Sequence, residues 1–147
     1  MNFAAVMRVG SLEILGGLAA FGLLAARLHG APAQSRPKAV SLAVRLREAP
    51  AFHAGAHDLA LTIAETAPCL IGRSRDADVE LGDPEVSRRH ARLELVGGVV
   101  YVSDDGSRNG TFLNEKPLGG ESIELRPGDD IDVGNTRITI IGMEPVR

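Results

Sequence analysis

The sequence predicts an all-β domain, an antiparallel sandwich or barrel, preceded by a single hydrophobic helix at the N-terminus. Three observations carry this reading. Beyond about residue 40 the chain divides into short runs of alternating or uniformly apolar residues. The turn-forming pairs Gly97-Gly98, Asp105-Gly106, Asn109-Gly110 and Pro127-Gly128 fall between those runs, among which no helical periodicity is found. By contrast, Ile14 to Ala26 runs for thirteen residues without a charged or strongly polar side chain.

The helix comes first, within residues 1–29. At 1.5 Å per residue its apolar run covers roughly 20 Å, short of the roughly 30 Å hydrocarbon core of a bilayer. Leu12 and Leu28 extend it to seventeen positions, residues 12–28, with Arg27 able to snorkel at one end. The leading reading is a membrane anchor. Arg8 before the run and Ala31-Pro32-Ala33 after it also fit a secretory signal peptide cleaved near Ala33. A buried helix of a soluble protein fits least, because the run is apolar on all sides. Arg27, Arg36, Lys38, Arg45 and Arg47 precede the next acid, Glu48, and the positive-inside rule then puts the following domain in the cytoplasm. The expectation is a single-pass protein of the cell membrane; the alternative is an exported domain.

Residues 30–39 read as a linker, since Pro32, Pro37 and their small and basic neighbours can neither hold a helix nor build a core. The domain follows over residues 40–145. Its candidate strands are Val40–Arg47, Leu59–Ile63, Cys69–Gly72, Val79–Leu81, Ala91–Leu95, Val99–Ser103, Thr111–Leu113, Ser122–Leu125, Asp130–Val133 and Arg137–Ile141. So many strands without helices argue a β-sandwich, where chemistry belongs to the loops.

Composition removes several function classes. Sixteen Lys and Arg against nineteen Asp and Glu leave a formal charge of -3, with no basic field to hold nucleic acid. No Trp, one Tyr and four Phe make a base-stacking platform improbable. The single cysteine, Cys69, excludes an internal disulfide and a Cys-cluster zinc site, and reads as a small buried apolar residue. His53 and His57 are four apart but flank Gly55 with no third ligand evident, so they read as a loop pair rather than a metal site. Asp105-x-Ser107-x-Asn109-Gly110 mimics the start of a calcium loop, yet its twelfth position is Lys116 where a bidentate Glu is required. The pairs Asp104-Asp105 and Asp129-Asp130 read as solvated acids in or beside turns. Nothing in the chain matches a phosphate-cradling or dinucleotide-binding glycine loop, and no nucleophile, base and orienter set surrounds His90. No cofactor, metal or small-molecule substrate is expected.

Three stretches concentrate the unusual chemistry: Ile71-Gly72-Arg73-Ser74, Val86-Ser87-Arg88-Arg89-His90, and Asp105-Gly106-Ser107-Arg108-Asn109-Gly110-Thr111-Phe112. In order and spacing they resemble the forkhead-associated (FHA) domain, whose signature is G-R, then S-x-x-H, then N-G-T. Asp78-Val79-x-Leu81 and Leu125-x-Pro127-Gly128-Asp129-x-Ile131-x-x-Gly134 extend the likeness. The resemblance implies an antiparallel sandwich of about eleven strands that binds phosphothreonine peptides with the loops at one end. A phosphothreonine carries about -1.5 to -2 charge and three acceptor oxygens, which call for permanent cations and hydroxyl or backbone donors.

In that role Arg73 supplies the charged fork and Ser87 a hydroxyl donor. Arg88 adds a second charge, Ser107 and Arg108 line the same end, and Asn109 holds the peptide main chain after the phosphothreonine. Gly72, His90, Gly110 and Thr111 are implied to be architectural. The chain departs from a frequent family pattern in having Arg108 before Asn109 and Glu115 after Asn114. The function implied is a non-enzymatic adaptor recruiting phosphothreonine-containing proteins, a Ser/Thr kinase or its substrates among them. The alternative is a phosphorylation-independent interaction domain of an envelope complex.

Overall fold

A computed structural model describes residues 38–48 and 56–146. The predicted N-terminal helix, the linker up to residue 37 and His53 lie outside the described residues. Eleven strands follow in order: β1 Ala39–Arg47, β2 Ala56–Ala64, β3 Cys69–Gly72, β4 Val79–Glu80, β5 Ala91–Val96, β6 Val99–Asp104, β7 Thr111–Leu113, β8 Lys116–Pro117, β9 Ser122–Glu124, β10 Asp130–Val133 and β11 Thr136–Pro145. Among the described residues there is no helix, and so none long and apolar enough to cross a membrane.

The strands form two sheets, one of six in the order β2-β1-β11-β10-β7-β8 and one of five in the order β4-β3-β5-β6-β9. All pairings are antiparallel except the short one between β3 and β4. Alternation decides which side of each strand turns inward. In β1, Val40, Leu42, Val44 and Leu46 are buried while Arg45 and Arg47 face water. Ile131, Val133, Ile138 and Ile140 continue that face, and Cys69, Ile71, Ala91, Leu93, Leu95, Val100 and Val102 of the other sheet meet it.

The sequence expectations hold for the class and for most strands, with local differences. The β1–β11 register slips between Ala43 and Val44, pairing Ala43 with Gly142 and Val44 with Ile140. Ile141 is therefore the extra residue of a bulge, which is why this isoleucine is 46% exposed. Beyond the bulge β11 continues to Pro145, further than the hydrophobic alternation reached. β2 starts at Ala56, so His57, expected in a loop, is an exposed strand residue opposite Leu46. The expected ten strands also lacked β8, a two-residue edge containing Pro117, which no periodicity can reveal. β7 and β8 are joined by Asn114 and Glu115 alone, both at positive φ (49° and 68°), so the hairpin keeps its tight turn despite a glutamate where glycine is usual.

Burial pushes the Cys69 thiol up to about 12, helped by the neighbouring Asp78 charge, in keeping with a packed side chain rather than a reactive one.

Candidate functional site

β3 and β6 end, and β5 and β7 begin, at the same end of the sandwich, because Ile71 pairs with Ala91 and Ala91 with Asp104. Three loops therefore converge there: residues 73–78, 81–90 and 105–110. They carry the three motif stretches.

The second loop is laid against the end of β3. Arg73 N–H donates to the Ser87 carbonyl (2.9 Å), Ser74 N–H to that of Arg88 (3.1 Å), and His90 N–H to that of Ile71 (2.9 Å). So close an approach requires glycine at 72, where a Cβ would lie 2.2 Å from the Arg88 carbonyl oxygen. The Arg73 guanidinium is steadied by an Nε–H bond to the Val86 carbonyl at 3.3 Å.

His90 is fully buried and joins the second loop to the third. Its Nδ1 accepts the Ser87 N–H at 3.0 Å, so the ring proton belongs on Nε2, which is 3.0 Å from the Gly110 carbonyl and donates to it. Both ring nitrogens are thus committed to main-chain atoms.

The third loop is organised by Asp104. One carboxylate oxygen accepts the N–H groups of Gly106 (3.0 Å) and Ser107 (2.9 Å); the other accepts the hydroxyls of Ser107 and Thr111 (2.7 Å for Thr111). Burial acts to raise the Asp104 carboxyl, but the two hydroxyl and two main-chain bonds outweigh it and hold the group below the usual range. Ser107 also accepts the Gly110 N–H at 2.9 Å. Its one hydroxyl proton is used inside the loop, so the structure places Ser107 as a brace of that loop, outside the set of side chains that line the cleft described next. The Asp104-Asp105 pair is likewise no solvated ornament: Asp105 is bound by Arg89 at 2.8 Å.

Between these loops lies an open cleft of about 440 Å³ lined by Arg73, Ser87, Arg88, Arg108 and Asn109, with Glu85 and the Arg89–Asp105 pair at its wall. The Ser87 hydroxyl accepts the Arg108 main-chain N–H at 3.0 Å, which leaves its own proton for an incoming acceptor. Among the described residues, Arg73, Arg88 and Arg108 have no carboxylate partner. Five of the six residues expected to bind are therefore brought together around one cleft, and no described carboxylate pairs with the arginines on its cationic side.

The family profile described as FHA domain matches residues 69–134. An FHA domain solved in a structural and functional analysis of phosphothreonine-dependent FHA domain interactions is 31% identical, with a TM-score of 0.55 over 71% of this chain and 99% of that one. The chain belongs to the FHA family.

Among curated relatives, the glycogen accumulation regulator GarA of Mycolicibacterium smegmatis is 43% identical over 70 residues, covering 48% of this chain and 43% of that protein. The chain spans about half the length of the curated relatives it matches. EmbR of Mycobacterium tuberculosis, solved in complex with a low affinity phosphopeptide, is 26% identical with a TM-score of 0.54, covering 66% of this chain and 24% of that one.

Two residues that hold this FHA cleft in shape escaped the sequence reading. Asp83 is fully buried, and its carboxylate accepts the N–H groups of Glu85 (2.9 Å) and Asn135 (2.6 Å), the Asn135 side-chain amide and the Thr136 hydroxyl. It ties the second loop to the β10–β11 turn, leaving no room for a side chain at Gly134, where a Cβ would be 2.9 Å from its oxygen. The Asp83-Pro84 dipeptide, a turn-initiating pair, is the signal that marks it. Glu85 is the second: Asn109 Nδ2 donates to its carbonyl (2.9 Å) and its carboxylate (3.0 Å). No local pattern announces a partnership across 24 residues.

Proposed function

We propose that this FHA domain is a non-enzymatic phosphothreonine reader that recruits phosphorylated partner proteins, a Ser/Thr kinase or its substrates. One observation carries the reading: a serine hydroxyl with an unused proton faces the same cleft as three arginines that have no carboxylate partner among the described residues. Phosphate dianions are held by such sets, in which guanidinium groups supply charge and a hydroxyl or N–H fixes one oxygen. Arg73 is the central cation, Ser87 the hydroxyl donor, Arg88 and Arg108 flanking charges, and Asn109 the contact to the peptide main chain. The phosphothreonine-dependent and phosphopeptide-bound neighbours support the same chemistry.

The apolar segment at residues 12–28 is proposed to tether the domain to the inner face of the cell membrane. Capture by a tethered reader raises the local concentration of a partner near other membrane proteins.

The test is binding of the full chain to matched phosphothreonine, phosphoserine and unphosphorylated peptide libraries, with Arg73→Ala as control. Phosphothreonine-selective binding abolished by Arg73→Ala is expected. Binding that ignores phosphate and survives Arg73→Ala overturns the reader and leaves a phosphorylation-independent interaction domain. Membrane fractionation with intact-mass analysis tests the tether, which a mature chain starting at Gln34 overturns.

A further inference from the structure

The cleft also contains an anion whose presence a phosphate site alone does not explain. Asp105, on the same wall, is neutralised by Arg89 at 2.8 Å and faces Arg92 at 3.9 Å. Glu85 has no cation within ion-pair distance among the described residues, although Arg73 and Arg88 belong to the same cleft. Nor is its carboxylate free to swing away. Its main-chain N–H is bound by the buried Asp83 at 2.9 Å, and its carboxylate receives the Asn109 amide at 3.0 Å. A pinned, exposed negative charge beside a dianion site repels the ligand unless the ligand brings a compensating positive charge.

The same bonds set how Asn109 meets a peptide. Its amide nitrogen is occupied by the Glu85 carbonyl and carboxylate, at 2.9 and 3.0 Å, so the oxygen is the atom left for the ligand. An amide oxygen is an acceptor only, suited to an N–H of the peptide main chain. Glu85 and this peptide contact are therefore neighbours, and a side chain close to that main-chain contact is within reach of the carboxylate.

We propose that Glu85 is a specificity-determining residue that selects phosphothreonine peptides bearing a lysine or arginine on the Asn109 side of the phosphate, and disfavours those with acids there. The inference rests on the phosphothreonine-reader function. The cleft is then dipolar: three guanidinium groups for the phosphate, one carboxylate for the adjoining cation. Glu85 lowers affinity for phosphate as such and restores it only for the matching sequence, so it acts by discrimination rather than by raw strength.

The experiment uses the full chain and a scanned set of fluorescent phosphothreonine peptides on an alanine background. Lys or Glu is placed in turn at each position following the phosphothreonine, and affinity is read by anisotropy at low and at physiological salt. At one position or more, Lys is expected to bind about fivefold more tightly than Glu, with the gap shrinking as salt rises. Glu85→Gln, which keeps an acceptor for Asn109, removes the preference, and Glu85→Lys reverses it. A Lys preference that persists unchanged in Glu85→Gln, or no preference in the native chain, overturns the proposal. If Glu85→Lys does not fold, Glu85→Gln carries the result alone. Loss of phosphate dependence in the native chain is a separate outcome that overturns the reader function itself, and this inference with it.

Discussion

The Ser87 hydroxyl oxygen lies 3.0 Å from the main-chain nitrogen of Arg108, across 21 residues of sequence, and accepts its N–H. One oxygen thereby joins the second and third loops while its proton remains available to a ligand. Charged acceptors strengthen the donors they meet, and a hydroxyl already accepting a bond is a better donor for it.

Ser87→Ala removes both bonds at once. A hydrogen bond to a charged group is worth about 1.5–3 kcal/mol, so affinity for a phosphothreonine peptide falls about ten- to a hundredfold. Titration calorimetry reads the loss, and Ser87→Thr, which retains the hydroxyl, recovers most of it. The thermal midpoint moves little in either variant, because the residue lies at the edge of the cleft and only one protein contact to its side chain is lost.

The three arginines of the cleft are not equivalent. Arg73 is held by Val86 at 3.3 Å and leaves a strand end fixed on both sides by main-chain bonds, whereas among the described residues no such bond restrains the Arg88 and Arg108 side chains. Ordering a free arginine costs up to about 2 kcal/mol of rotamer freedom, which offsets part of its Coulombic gain. Arg73→Ala is expected to cost about 2–5 kcal/mol of binding, and Arg88→Ala or Arg108→Ala about 1 kcal/mol or less. Binding measured across a salt series separates the groups, with the two outer arginines contributing mainly to the salt slope.

His90 carries loop geometry rather than chemistry. His90→Ala leaves the Ser87 N–H and the Gly110 carbonyl without partners and opens a cavity in the fully buried site. Expected destabilisation is about 2–4 kcal/mol, measured by chemical denaturation. In protein that is still folded, phosphopeptide affinity also falls, because the second and third loops lose their common brace.

How much of this was legible in the sequence follows from the range of the interactions involved. Arg73, Ser87, His90 and Asn109 sit in contiguous motifs beside predicted strand ends, and it is the order of those motifs, resembling the FHA signature, that singles them out; alternation and turn residues place only the strands and loops around them. Ser107 belongs to the same motif yet turns inward, because its hydroxyl finds Asp104 three residues back, and a linear pattern does not say which way a serine faces. Asp83 and Glu85 act on Asn135 and Asn109, 52 and 24 residues away, contacts that exist only once both sheets are assembled. β8 and the bulge at Ile141 are products of pairing register, to which hydrophobic periodicity is blind.

Asp104 makes the third loop sensitive to acid. Burial acts to raise its carboxyl, but four hydrogen bonds to the ionised form outweigh burial and hold the group below its ordinary value of 3.8. The folded state thus binds the proton less readily than the unfolded chain. The associated stability is present in full above the ordinary value and is lost as pH falls through the lower folded one. Asp104→Asn replaces an acceptor oxygen with a donor facing donors. It should cost about 1–3 kcal/mol at neutral pH, and denaturation midpoints followed into acid should fall less steeply than in the native chain.

The β7–β8 turn stores strain that a single change relieves. Asn114 and Glu115 both adopt left-handed backbone conformations, at φ 49° and 68°. Asparagine tolerates this, and here it is further held by its side chain, which accepts the Asp130 N–H at 3.0 Å and donates to Asp129 at 2.8 Å. Glu115 makes no such side-chain hydrogen bond among the described residues and its Cβ crowds the backbone, a cost of about 1 kcal/mol or somewhat more. The unfolded chain partly opposes the replacement, since glycine gains more freedom there than glutamate does. At this φ the relief of strain outweighs that entropy, so Glu115→Gly is expected to stabilise the domain by about 0.5–1 kcal/mol. The denaturation midpoint should rise while phosphopeptide affinity stays unchanged, because the turn does not line the cleft. A lowered midpoint would show that Glu115 is not strained where it stands.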